Sequence, residues 1–223
     1  MQIINTSDGS HTIYLPEIDE QYHSVNGAVT ESKYVYIEKG FNFHKAEKRT
    51  VFEIGFGTGL NCLLTALMAE KEKRKTLYFS IEKFPLAKSI TKQLNFARQS
   101  SKAEQELFDK IHDCNWDEVV HISAYFRLKK INADLTNFDF EGIEKFDIIY
   151  YDAFGPDKQP EMWTPLIFDK ISAATALNGI LVTYSAKGNV RRQLMASGFE
   201  MERLQGPPGK NQMLRGIKRE AKI

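Results

Sequence analysis

Cysteine is almost missing from this chain. Cys62 and Cys114 are the only two in 223 residues, too few and too far apart for a disulfide framework or a cysteine-based zinc site. The five histidines show no HExxH or other ligand spacing, so no metal is expected. No apolar run approaches the ~20 residues that a membrane-spanning helix needs. The amino terminus, MQIINTSDGSHTIYL, lacks the charged stretch followed by an apolar one that marks a secretory leader. Internal repeats, low-complexity tracts and Pro/Ser linkers are also missing. Secreted disulfide modules, zinc enzymes, membrane spans and solenoids are thereby excluded, and a reducing cytoplasm is the expected location.

Net charge is small as well, +1 over the whole chain, but it is unevenly spread. Ile180 to Ile223 holds nine Lys or Arg against three acidic residues, which makes that tail +6 and leaves −5 for everything before it. A basic segment on a nearly neutral chain points to an anionic partner for one face.

What is present divides into a polar, short-period segment over residues 1–45 and an alternating pattern over 46–223. In the first, HTIYL and KYVYIE alternate with period two and predict a small β extension. In the second, strands are expected at Thr50–Ile54, Thr76–Ile81, Phe126–Asn132, Phe146–Tyr151, Gly179–Tyr184, Phe199–Leu204 and Gln212–Ile217. Helical patterns cover Leu60–Lys71 and Pro85–Arg98. Thr164-Pro165 reads as an N-cap and first-turn proline, and Asn178-Gly179 as the stop of the helix they begin. The alternation predicts an α/β fold, a mainly parallel sheet covered on both faces, with its ligands beyond the carboxyl ends of the strands.

The stretch VFEIGFGTGLN sits at such a strand end. Gly55, Gly57 and Gly59 are spaced GxGxG rather than the GxGxxG of a dinucleotide fold, and Glu53 precedes them. A carboxylate here would repel a pyrophosphate and attract a sulfonium, which points to S-adenosylmethionine. Glu82 closes the next strand and suits ribose hydroxyls; Asp134, at the third strand end, suits an adenine amino group. At the fourth, IIYYDAFGPDKQPEMW places Asp152 where an acceptor amine would meet the cofactor's methyl group, so Asp152 is the candidate catalytic residue. Trp163 reads either as packing or as a stacking platform.

Taken together, EIGFGTGLN, SIEKFPL, YDAFGPDKQPEMW, YSAKGNVRRQLMASGF and GPPGKNQML resemble the methyltransferase domain of the bifunctional enzymes of tRNA 5-methylaminomethyl-2-thiouridine biosynthesis, and stand-alone relatives of that domain. The resemblance runs from about Tyr22 to the end. It implies a Rossmann-like class I methyltransferase that uses S-adenosyl-L-methionine to methylate the aminomethyl group of the tRNA wobble uridine. By position it implies Glu53, Gly55, Gly57, Gly59, Glu82 and Asp134 for the cofactor and Asp152 for the amine. DEQYHSVNGAVTES adds Tyr22 and Glu31 beside the cofactor. It also gives the basic tail a use, with Lys187, Arg191, Arg192, Lys210 and Arg215 as candidate contacts to tRNA phosphates. One departure is Lys210-Asn211-Gln212, where the family tends to have a basic-acidic pair after the lysine. The other is that no second glycine fingerprint accompanies the first, so no FAD is expected. Rival readings are an amine methyl- or aminopropyl-transferase acting on small molecules, and a non-catalytic RNA-binding relic.

Overall fold

The computed structural model describes residues 1–97 and 101–220. Strands β1 (Gln2–Asn5), β2 (His11–Leu15) and β3 (Glu20–Gln21) form a small antiparallel sheet. Helix α1 (Ala28–Ser32) then runs into a π-helix over Lys33–Phe41. The period-two reading of KYVYIE is therefore corrected. Val35, Tyr36, Ile37, Gly40 and Phe41 are buried, runs of consecutive positions five residues apart rather than alternate ones. Asn42 N–H reaches back five residues to the Ile37 carbonyl (2.8 Å), as a π-turn requires. β-Branched and aromatic side chains favour strands only where a pleated surface is there to receive them. Here the segment lies across helix and sheet instead, and packing decides. Ile13, Val35 and Phe41 share one apolar cluster with Val51 and Leu63, so residues 1–45 are packed into the same core as the remainder.

The main sheet is built from β4 (Arg49–Ile54), β5 (Thr76–Glu82), β6 (Val120–His121), β7 (Phe126–Asn132), β8 (Phe146–Tyr151), β9 (Thr175–Thr183), β10 (Phe199–Gln205) and β11 (Gln212–Lys218). Its order is β10-β11-β9-β8-β4-β5-β7-β6. The five central strands are parallel, and β6 and the β11–β10 pair are added antiparallel at the two edges. Apolar side chains from both faces of β8 are buried. Ile148 and Tyr150 join the cluster under α2 (Leu60–Glu72), while Ile149 and Tyr151 join the one under α5 (Pro165–Ala174). A strand covered on both sides reads as a continuous apolar run, which is why FDIIYY is legible.

The expected helix over Pro85–Arg98 is reduced to α3 (Lys88–Thr91), and Arg98 lies outside the described residues. Helix α4 (Lys102–Asp113) follows, its first turn capped by the Ser101 hydroxyl accepting from Glu104 N–H (3.2 Å). Thr164 caps α5 as the sequence predicts, accepting from Ile167 N–H (3.4 Å) with Pro165 in the first turn. Asn178-Gly179 is not the stop. The helix ends at Ala174, and Asn178, with φ of 61°, turns a bulge in β9 between residues paired with Phe146 and Ile148. Trp163 is packing: its indole is buried against Tyr151 and donates to the Phe154 carbonyl (2.7 Å).

From β4 the chain proceeds to β5 on one side and returns through β8 on the other. The sheet therefore opens a crevice at the carboxyl ends of β4 and β8, the topological switch point. Both the glycine turn and Asp152 lie there.

Candidate active site

A cavity of about 430 Å³ occupies this crevice, within the range of small-molecule and cofactor sites. Its wall includes Gly55, Gly57, Glu82, Asp134, Asp152 and Tyr22. The amino-terminal sheet closes one side through Leu15 and Ile18, and Lys158 holds it there by donating to the Ile18 carbonyl (2.8 Å).

The glycine turn is bare for two separate reasons. Gly55 has φ of 90°, and a Cβ on it would come within 2.9 Å of the Asp152 carbonyl oxygen, so the two strand ends touch only because nothing projects between them. Gly57 has φ of 48°, and a Cβ there would lie 2.9 Å from Tyr22 Cδ1. The Tyr22 ring lies over the turn, edge-on to Phe154 (5.1 Å between centroids). Burial pushes its phenol up to about 12, so it stays neutral.

Glu82 ties the turn to the next strand. One carboxylate oxygen accepts from Gly57 N–H (3.0 Å) and the other from Phe84 N–H (2.9 Å). Asp134 accepts from Thr136 N–H (2.9 Å) and its hydroxyl (2.7 Å) and pairs with Lys83 (2.8 Å). The hydrogen bond from Lys83, with help from Thr136, holds this carboxyl down at about 2, so it presents a fixed negative charge.

Glu53 is placed differently from the expectation. By strand alternation it shares the face of Val51, beneath the glycine turn, and it is not part of the cavity wall. It is fully buried, accepts from the Ser80 hydroxyl (2.6 Å), and is pushed up to about 8 by burial. Glu53 is therefore a neutral acid at pH 7, not a charged guard beside a sulfonium. A lone carboxylate withdrawn from water keeps its proton. Glu31 also lies outside the wall; it is buried and paired with Lys210 (2.7 Å).

Asp152 is half-buried at the cavity edge and held from two sides. Oδ1 accepts from the Tyr36 hydroxyl (2.5 Å) and Oδ2 from Asn61 Nδ2 (2.7 Å). Burial raises its pKa to about 7, against the hydrogen bonds from Tyr36 and Asn61 and the charge of Lys210, which pull it down. Tyr36 is pushed well above the usual phenol range by burial and by Asp152 itself, so it can only donate. The result is an oriented carboxylate poised near neutrality, the condition a general base needs. Sequence reasoning misses both holders. Asn61 stands at the end of the glycine motif, so its position is available there; Tyr36 is hidden by the strand-like character of its segment.

Four of the nine cations of the basic tail have close acidic partners. Lys187 pairs with Asp157, Arg215 with Glu202 (2.7 Å) and Arg219 with Glu200 (2.7 Å). Arg215 is buried, with its guanidinium over the Phe43 ring (3.5 Å), and Lys210 is turned onto Glu31. These two expectations of phosphate binding are corrected: each group already has a close acidic partner, buried in the case of Glu31. Arg191 and Arg192, on α6 (Gly188–Ala196), have no acidic partner among the described residues.

Comparison with known proteins places this geometry. Curated relatives include the tRNA 5-methylaminomethyl-2-thiouridine biosynthesis bifunctional proteins MnmC of Paraburkholderia phymatum, 29% identical over 92% of this chain, and of Aeromonas hydrophila, 28% identical over 92%. This chain spans about a third (33%) of the length of each. The crystal structure of MNMC2 from Aquifex aeolicus matches all of this chain and 71% of its own, with a TM-score of 0.74 at 22% identity. A methyltransferase from Pyrococcus furiosus matches 92% of this chain and 91% of its own, with a TM-score of 0.51 at 17% identity. Both likenesses show a common Rossmann-like fold. The model of the S-adenosyl-L-methionine-dependent methyltransferase family matches residues 90–219, from beyond the glycine turn through the last strand. With a bare turn, strand-end acids and a poised base around one cavity, this match assigns the chain to the S-adenosyl-L-methionine-dependent methyltransferases.

Proposed function

We propose that this chain methylates the primary amine of the aminomethyl group on the wobble uridine of tRNA, in the cytoplasm where tRNA is modified. The observation that carries this reading is Asp152, held by Tyr36 and Asn61 at the mouth of the cavity and poised near neutral pH. The names of the curated relatives supply the substrate class.

S-adenosylmethionine supplies a methyl group already activated by its sulfonium. Glu82 and Asp134 are suited to its ribose and adenine, and Gly55 and Gly57 let it approach the backbone. The neutral Glu53 lies outside the cavity wall and ties β4 to β5 through the Ser80 hydroxyl. An alkylamine is mostly protonated at pH 7 and carries no free lone pair until that proton leaves. The ionised Asp152 would accept that proton and leave the nitrogen lone pair free to take the methyl group, with the sulfonium sulfur of bound S-adenosylmethionine keeping the electron pair of the broken bond. An unpaired anticodon base can leave its stack at little cost.

The test is transfer of labelled methyl to two tRNA pools, with nucleosides identified by mass spectrometry. Methylaminomethyluridine is expected from the pool carrying aminomethyluridine. The pool carrying only carboxymethylaminomethyluridine should remain unchanged even with FAD, because its extra carboxylate would be brought towards Asp152 in a poorly solvated cleft. No transfer to the first pool, or product from the second alone, overturns the reading.

Affinity for tRNA should depend on Arg191 and Arg192, the candidate phosphate-binding groups not already engaged by an acid. Reversing both charges is expected to weaken tRNA binding and to lower its salt slope, by about 0.7–0.9 for each phosphate that is no longer neutralised. S-adenosylmethionine affinity should hardly change. Titrations at several salt concentrations check this, and an unaltered slope makes these arginines a solvated face.

A further inference from the structure

The ion pair between the buried Glu31 and the partly exposed Lys210 is not used by the cofactor cavity. Lys210 comes from the loop between β10 and β11, which the Tyr34 hydroxyl ties down by donating to the Gln205 carbonyl (3.1 Å). Its ammonium sits over the Tyr184 ring (4.0 Å) and against Glu31 of α1 (2.7 Å). The Tyr184 hydroxyl donates to the carbonyl of Ala153 (2.9 Å), the residue after Asp152. The pair, from two elements distant in sequence, is thus joined through Tyr184 to the backbone next to the proposed base.

We propose that Glu31 and Lys210 are positioning residues for Asp152, a matched acid and base that clamp the β10–β11 loop to α1 and balance the charge felt by that carboxylate. This rests on Asp152 being the base of the proposed reaction. The other ionisable groups facing the cluster do not supply such a balance. Tyr36 from the π-helix and Tyr184 after β9 are neutral phenols held far above their usual range by burial. Glu53 from β4 is a buried acid that keeps its proton at neutral pH. Glu20 of β3 faces Tyr184 and is acidic. His23 faces Lys210, and burial holds it down at about 4, hence neutral. Among these described groups, Lys210 is the one lysine or arginine.

Two variants should act in opposite directions, which a merely structural role would not do. Lys210→Met removes the cation and leaves Glu31 unpaired, so both changes favour the protonated form of Asp152. Glu31→Gln leaves the ammonium unopposed and favours the ionised form. The measurement is the ¹³C titration of the Asp152 carboxyl in the cofactor-free chain, assigned with Asp152→Asn, alongside the pH profile of kcat/KM with tRNA. The midpoint should rise by about one pH unit in Lys210→Met and fall by about one in Glu31→Gln, the usual scale for a neighbouring charge. The double variant should return close to the parent value. Binding of S-adenosylhomocysteine reports that each variant is folded, and if one fails to fold, the sign of the other still decides. Unmoved midpoints, or shifts in the same direction, overturn the proposal. Full turnover by Asp152→Asn would instead remove the base assignment, while leaving the ¹³C result to stand by itself.

Discussion

Asp152→Asn is expected to lower turnover by about 10²-fold or more, the scale of a positioned acid-base group, while S-adenosylmethionine binding stays nearly intact. The substitution keeps the shape of the side chain and removes its charge. Tyr36 and Asn61 both donate to this group at 2.5 and 2.7 Å, and an amide oxygen can satisfy only one of them. The parent enzyme has a pH signature that the variant should lose. Burial raises the Asp152 carboxyl to about 7, so its base form is filled only as pH rises through that value; kcat/KM should increase from pH 6 to 8 and then level. Single-turnover kinetics and calorimetry separate the two effects. Full turnover in the variant would make the strand-end carboxylate structural.

Gly57→Val should abolish most cofactor binding in a chain that still folds. The left-handed φ of 48° is strained for any L side chain and worst for a β-branched one. A Cβ would also meet the Tyr22 ring at 2.9 Å, pushing aside an aromatic that forms part of the cavity wall. Any shift of the turn stretches the bond from Gly57 N–H to Glu82, the group suited to the ribose hydroxyls. A loss of at least tenfold in S-adenosylmethionine affinity, about 1.4 kcal/mol, is expected by calorimetry, with far-ultraviolet circular dichroism unchanged. A folded variant that binds as tightly as the parent would separate Gly57 from the cofactor site.

Much of the architecture is readable because its signals are local. FDIIYY is apolar throughout since both its faces are covered, and it is found at its expected limits, Phe146–Tyr151. Thr164-Pro165 opens a helix because a hydroxyl and a fixed φ act within one turn. The glycine spacing marks a strand-to-helix turn for the same reason. Signals that depend on distant partners mislead. KYVYIE has strand-like residues, yet it is a π-helix whose Val35, Tyr36, Ile37 and Phe41 are buried in the cluster shared with helix α2 and the sheet. Asn178 looks like a helix stop, yet it turns a bulge that keeps β9 in register with β8.

By itself, then, the sequence determined the main strands from β4 onward, the turn that must be bare, and four strand ends that carry acids, since each depends on residues within a few positions of one another. Tertiary structure decided what those acids are. Glu53 and Asp152 are both carboxyls at the ends of neighbouring parallel strands. One is sealed beneath the turn and is pushed up to about 8; the other opens on the cavity, held by Tyr36 and Asn61. Lys210 and Arg215 are basic in any reading, but Glu31 and Glu202 engage them across the fold. Protonation and free charge depend on burial and on partners brought together from up to 179 positions away, as between Glu31 and Lys210, and no local pattern encodes those.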